Sequence, residues 1–154
     1  MDPRDLRQLL ARVSDGATTI EAAVAELRDL PFREVGNLAT IDRHRHLRLG
    51  FPEVVLGLCK TAEQIVEILG HLAEGGANVL ATRVNSAKAD VVRAQVPRAR
   101  YHPVAQVVVV ENESFADQGR GVVLVASAGT GDLAVAEEAA VSAEVLGNRV
   151  ERVY

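Results

Sequence analysis

Apolar positions recur at helical spacing near the N-terminus, where Leu6, Leu9, Leu10 and Val13 form one stripe over residues 2–15. Asp2 suits the cap of that helix, Pro3 its first helical position, and Gly16 its end. A second helix is predicted from Thr18, which stands at capping-box spacing from Glu21. Ile20, Ala23, Val24 and Leu27 face one way, and Pro31 closes the segment. The two helices read as a hairpin. The stretch 34–59 is less regular: EVGNLATID and PEVVLGL read as strands, with a cationic RHRHLRLG between them suited to a short helix. Thr61 and Gln64 then open a helix striped by Ile65, Ile68, Leu69 and Leu72 and stopped by Gly75-Gly76.

Further along, NVLATR (78–83) and QVVVVEN (106–112) read as buried strands flanking a helix from Ser86 to about Ala94, a small βαβ-like unit. The polar, glycine-containing 113–121 reads as a linker. After it the pattern changes in kind. GVVLVA (121–126) is an unbroken apolar run of the sort found in parallel strands covered on both faces. SAGTGD (127–132) is a loop of small residues. A helix follows over 133–146 with Val135, Ala136, Ala139, Ala140, Ala143 and Leu146 expected inward, and NRVERVY begins another strand.

Composition narrows the function classes. The formal net charge is −4 and aromatic residues are 3% of the chain, without Trp, so neither a basic surface nor a stacking platform for nucleic acid is present. No run approaches the length of a membrane span, and the charged N-terminus does not resemble a signal peptide. With one cysteine, Cys59, no intramolecular disulfide forms, which fits a reducing cytoplasm. Cys59 itself reads as a packed thiol.

The loop 127–132 is the first site candidate. Strand, small-residue loop and helix together make an anion-binding geometry, because the first helical N–H groups lack intrahelical partners and the dipole favours negative charge there. Ser127 and Thr130 add hydroxyls, Gly129 and Gly131 let backbone approach, and Asp132 either caps the helix or meets a ribose or a reacting group. Gly129, Gly131 and Ala134 also fit G-x-G-x-x-A, with Glu151 placed as in a dinucleotide fingerprint. A tight turn capped by Asp132 is the plain alternative. The second candidate is the cationic segment. Arg45, Arg48 and Lys60 suit phosphate clamping. Arg45 and Arg48 equally suit a solvated helix face paired with Asp42 and Glu53. His44 and His46 have no third ligand in view, so no metal site is expected.

Two stretches carry a resemblance. GVVLVASAGTGDLAVAEEA (121–139) resembles the start of the PurE-like domain of LarB-type carboxylases, with Ser127, Gly129, Thr130 and Asp132 matching the loop that receives substrate phosphate and ribose. Gly131 stands where that loop often has Ser. IDRHRHLRLGFPEVVLGLCKT (41–61) resembles the signature of the LarB N-terminal region at Asp42, His44, Arg45, Arg48, Gly50, Pro52, Glu53, Lys60 and Thr61, and VLATR (79–83) also fits. PurE proteins proper lack this region.

The resemblance implies an α/β fold: a helical N-terminal hairpin with a small mixed α/β domain (1–115), then the first strand–loop–helix–strand of a flavodoxin-like, three-layer PurE-type domain (116–154). It implies a cytoplasmic enzyme of nickel-pincer cofactor biosynthesis. That enzyme carboxylates nicotinic acid adenine dinucleotide with CO2 or bicarbonate and then cleaves the phosphoanhydride, releasing AMP. No tightly bound cofactor is implied, and the residues leave Mg2+ open. The assembly implied is a homo-oligomer, an octamer in the full-length family. The family's nucleophilic cysteine belongs to the later part of the catalytic domain, so no catalytic residue is expected in this chain. Two parallel strands do not make a stable sheet, so VVLVA is expected to expose apolar surface and the chain to be a C-terminally truncated form of a longer protein. PurE-type carboxylation of aminoimidazole ribonucleotide and a non-catalytic nucleotide-binding module are the alternatives.

Overall fold

The computed structural model describes residues 3–28, 32–35, 39–42, 45, 51, 53–74, 76, 78–112 and 119–154. They fall into two compact units, Met1–Glu53 and Val54–Tyr154. The first holds helices α1 (Pro3–Ser14) and α2 (Ile20–Arg28) and the antiparallel hairpin β1 (Phe32–Val35) and β2 (Ala39–Asp42). The helical hairpin is present, and the strand expected in EVGNLATID proves to be part of a two-stranded ribbon that begins at Phe32. Leu9 and Ala23 are buried, but Leu10, Ile20 and Val24 are more than half exposed, against expectation. Two short helices meet along a narrow seam, which leaves the flanking positions of each stripe uncovered. Arg12 donates to Glu26 at 3.0 Å across the seam. The cap of α2 is Thr19, whose Oγ1 accepts from the Ala22 N–H at 3.1 Å, one position after the predicted Thr18. Asp2, the expected cap of α1, lies outside the described residues.

The second unit is an α/β fold. Its strands β3 (Val54–Leu56), β4 (Val79–Thr82), β5 (Ala99–His102) and β6 (Val107–Val110) form one sheet in the order β3-β4-β6-β5. Helix α3 (Ala62–Ala73) crosses from β3 to its parallel neighbour β4, so the βαβ unit is β3–α3–β4. The strands 78–83 and 106–112, expected to frame such a unit, are antiparallel instead, with Leu80 opposite Val109. The reason is β5, which the sequence did not announce. It returns the chain from α4 (Ser86–Gln95) and turns back into β6 as a hairpin.

Both central strands, β4 and β6, are buried at every position. Alternation sends Leu80, Val107 and Val109 to one face, where they meet Val141 and Val145 of a fifth helix, α5 (Leu133–Val145). Val79, Ala81, Val108 and Val110 point to the other face, which α3 and α4 cover. Within α5 the buried residues are Ala136, Ala140, Val141 and Val145. Val135 and Ala139, expected inward, are exposed. Asn112 ties the sheet to α3: its N–H donates to Asn78 Oδ1 at 2.8 Å and its amide to the Ala73 carbonyl at 3.1 Å.

The capping box at the head of α3 is formed as predicted. The Gln64 N–H donates to Thr61 Oγ1 at 3.3 Å, and the Thr61 N–H to Gln64 Oε1 at 2.9 Å. Nearby, backbone N–H donation and then the Thr61 hydroxyl hold the Glu63 carboxyl below its ordinary value. A carboxyl depressed in this way contributes stability above its unfolded value, and loses it as pH falls through the folded one. Thr61→Ala is expected to cost about 1 kcal/mol in chemical denaturation and to move Glu63 partway back toward 4.5 in an NMR titration. An unmoved Glu63 would show that the hydroxyl plays no part.

The last strands, β7 (Val122–Ala126) and β8 (Arg149–Val153), pair in parallel through α5, which gives the expected strand–loop–helix–strand. Among the described residues their sheet is two-stranded, and the expected apolar exposure of VVLVA is present, with Leu124 61% exposed. Most of the predicted linker, 113–118, lies outside the described residues.

Candidate functional site

The carboxyl ends of parallel strands are where open α/β sheets place ligands, and the loop 127–132 leaves β7 at that end. The Ser127 N–H donates to the Val153 carbonyl at 3.0 Å, which holds the start of the loop level with the end of β8. The Ser127 hydroxyl oxygen is buried without a hydrogen-bond partner among the described residues. Gly129 has φ +91°, a left-handed conformation that suits glycine, and neither Gly129 nor Gly131 has a neighbour within 4 Å of where a Cβ would stand. Thr130 and Asp132 are exposed beside them.

Asp132 is the residue before α5, but its side chain makes no capping bond. The plain turn-and-cap reading is therefore corrected: its backbone carbonyl receives the Ala136 N–H at 2.9 Å while the carboxylate stays clear of the helix N–H groups. The dinucleotide fingerprint also loses ground, because Glu151 pairs with Leu124 in mid-strand instead of standing at the carboxyl end of β8.

The described residues of the cationic signature divide between the two units. Arg45, in the first unit, lies 5.4 Å from the centroid of the Phe51 ring, and its Nε is buried without a hydrogen-bond partner among the described residues. Lys60, in the second unit, sits in the turn before α3, where its N–H donates to the Gly57 carbonyl at 3.3 Å. Arg48, His44, His46, Gly50 and Pro52 lie outside the described residues. Cys59, expected to be packed, is exposed in the same turn as Lys60, because the turn carries it off the end of β3. Among the described residues, no three of His, Cys, Asp and Glu cluster as metal ligands would.

Sequence reasoning missed a second feature, an open pocket of about 430 Å³ next to the loop. His102, Pro103, Val104 and Ala105, from the end of β5 and the turn into β6, form one wall. Leu133 and Glu137 of α5 and Tyr154 after β8 form the other. Arg152 orders this second wall. It donates to both oxygens of Glu144 at 2.6 and 2.9 Å, and its Nε lies 3.2 Å from Glu137. The Glu144 hydrogen bonds, first among the causes, push the guanidinium above its ordinary value. The Tyr154 hydroxyl is also pushed up, first by desolvation and then by its hydrogen bond to Glu137. The sequence signal for this pocket was faint. Glu137 stands four positions after Leu133, one helical turn on, but nothing local points to His102.

Comparison with known proteins agrees with the fold. An uncharacterized protein of Methanocaldococcus jannaschii is 26% identical over 149 residues, which is 94% of this chain and 58% of the relative. The chain thus spans about 58% of the length of the curated relative it matches. No helix of the described residues is long and apolar enough to cross a membrane. The family model described as LarB/PurE-like N-terminal domain matches residues 32–113, more than half of the chain and all of the four-stranded sheet, and the protein belongs to that family.

Proposed function

We propose that this chain is the front part of a LarB-type enzyme that carboxylates the pyridinium ring of nicotinic acid adenine dinucleotide, with CO2 or bicarbonate as co-substrate, and then hydrolyses the phosphoanhydride. The family match over 32–113 carries the reading, since it sets the chain among LarB/PurE-like proteins and so in relation to carboxylases. The terminal β7–loop–α5–β8 supports it as the beginning of a PurE-like domain. In this scheme Ser127, Gly129, Thr130 and Asp132 hold a phosphate and its ribose. The uncapped N–H groups at the head of α5 and the unpartnered Ser127 hydroxyl supply donors, and Gly129 keeps the backbone open to an anion. Arg45, Arg48 and Lys60 serve the other phosphate. The family's nucleophilic cysteine belongs to the later part of the catalytic domain, so chain 1–154 is expected to bind and not to turn over. In the full assembly, a homo-oligomer, chemistry falls to the family's cysteine.

Calorimetric titration of the chain with nicotinic acid adenine dinucleotide and with AMP tests this. Both are expected to bind. Gly129→Val places a β-branched residue at φ +91° and is expected to weaken both at least about tenfold, roughly 1.4 kcal/mol. Binding of neither ligand sinks the proposal. Turnover by 1–154 sinks the claim that the chemistry lies elsewhere.

A further inference from the structure

The helical hairpin of the first unit has two unlike sides. Leu9 of α1 and Ala23 of α2 are buried in its seam. Arg12 and Glu26 each stand three positions after these, about 60° back around the helix, and their ion pair at 3.0 Å closes one side of the seam. Leu10 and Val24 each stand one position after the seam residues, about 100° forward. The helices run antiparallel, so equal turns carry both side chains to one side, opposite the ion pair. Ile20, three positions before Ala23, falls on that side too. Leu10 is 56%, Val24 57% and Ile20 67% exposed. Helices of 12 and 9 residues are marginal in water without an apolar face packed on something. Among the described apolar residues of the first unit, Leu9 and Ala23 are the buried ones, so the hairpin gains most from cover on its open side.

The charges of the two helices select a second copy of the chain as that cover. Helix α1 carries Arg4, Arg7 and Arg12 against Asp5, whereas α2 carries Glu21 and Glu26 against Arg28. A two-fold axis parallel to the helices lays α1 of one copy on α2 of the other, and by symmetry does so twice. Each net-positive helix then meets a net-negative one, and the apolar faces close into a four-helix bundle. A two-fold axis across the helices would instead set α1 on α1, positive against positive. Arg12 and Glu26 share a level of the hairpin. Leu10 and Val24 lie two residues to either side of that level, within about 6 Å of each other along the axis. We propose that this face pairs with itself in a second copy of the chain, Leu10 of each copy packing against the partner's Val24. The proposal concerns the first unit alone. It goes beyond the carboxylase reading, whose failure would leave it standing.

Sedimentation equilibrium of chain 1–154 tests the pairing, and a monomer–dimer equilibrium is expected. Leu10→Lys and Val24→Lys are each expected to raise the dimer Kd at least about tenfold, since each removes a contact made twice. Both positions are more than half exposed, so the fold of a single copy tolerates the change. Leu124→Ser, at an exposed position of β7 in the second unit, is the control and is expected to leave the Kd unchanged. Crosslinking reads the arrangement. In a Cys59→Ser background, chains with Leu10→Cys and chains with Val24→Cys are treated with a short bismaleimide. The mixture is expected to give covalent dimer, and neither variant alone to do so. A chain that stays monomeric overturns the proposal. So does a dimer that Leu124→Ser dissolves and both lysine variants keep. Covalent dimer from Leu10→Cys alone sets α1 on α1 and overturns the pairing of unlike helices.

Discussion

Leu80→Ala is expected to destabilise the second unit by about 2–5 kcal/mol, the range for emptying a fully buried leucine site. Leu80 has no exposed surface and shares a cluster with Ala105, Val107, Val109, Val141 and Val145. It lies on a central strand between β3 and β6, opposite Val109, so its neighbours cannot collapse into the space without breaking register. Because domains of this size hold only about 5–15 kcal/mol in total, the loss is a large share. Urea denaturation followed by circular dichroism measures it. A loss below about 1 kcal/mol would show that α5 is not packed on this face.

Gly57→Ala is the second large effect. The new Cβ would stand 2.7 Å from Val84 Cγ2, 3.0 Å from the Thr82 carbonyl oxygen and 3.3 Å from Ile65 Cδ1. None of these can easily give way. Val84 and Ile65 are fully buried, and the Thr82 carbonyl is held by the Gly57 N–H at 2.8 Å, which prolongs the β3–β4 pairing. The Gly57 carbonyl also accepts from Lys88 Nζ at 3.1 Å, fixing the turn from the other side. Overpacking of this kind costs about 1–3 kcal/mol. Combined with Val84→Ala, the clash is relieved, so the double variant is expected to lose less than the sum of the single ones. Strict additivity would place the strain elsewhere.

Much of the fold was legible where the signal was local. The capping box at Thr61 and Gln64, the buried run 107–110 and the strand–loop–helix–strand after residue 121 were read directly, because each depends on residues close in sequence. What failed was non-local. ARYH is short and charged, so β5 carried no strand signature, and without it β4 and β6 could not be seen to run antiparallel. The inward face of α5 was misjudged because LAVAEEAAVSAEV is apolar nearly all round and periodicity then has no direction. Only the position of the sheet selects Val141 and Val145. Glu137 and His102 were missed for the same reason, since 35 positions separate them in sequence and the pocket alone joins them. The loop residues were found because glycine spacing and small side chains are themselves the signal.

Helix α5 has a double duty: its head borders the loop, and its later turns lie on the Leu80 face of the four-stranded sheet. Occupancy of the loop and integrity of that sheet are therefore thermodynamically linked. A ligand that binds only the native form at a hundred times its Kd adds about 2.7 kcal/mol to the unfolding free energy. Through α5 that gain is felt by the whole second unit, so the melting of the protein reports on what sits at its loop.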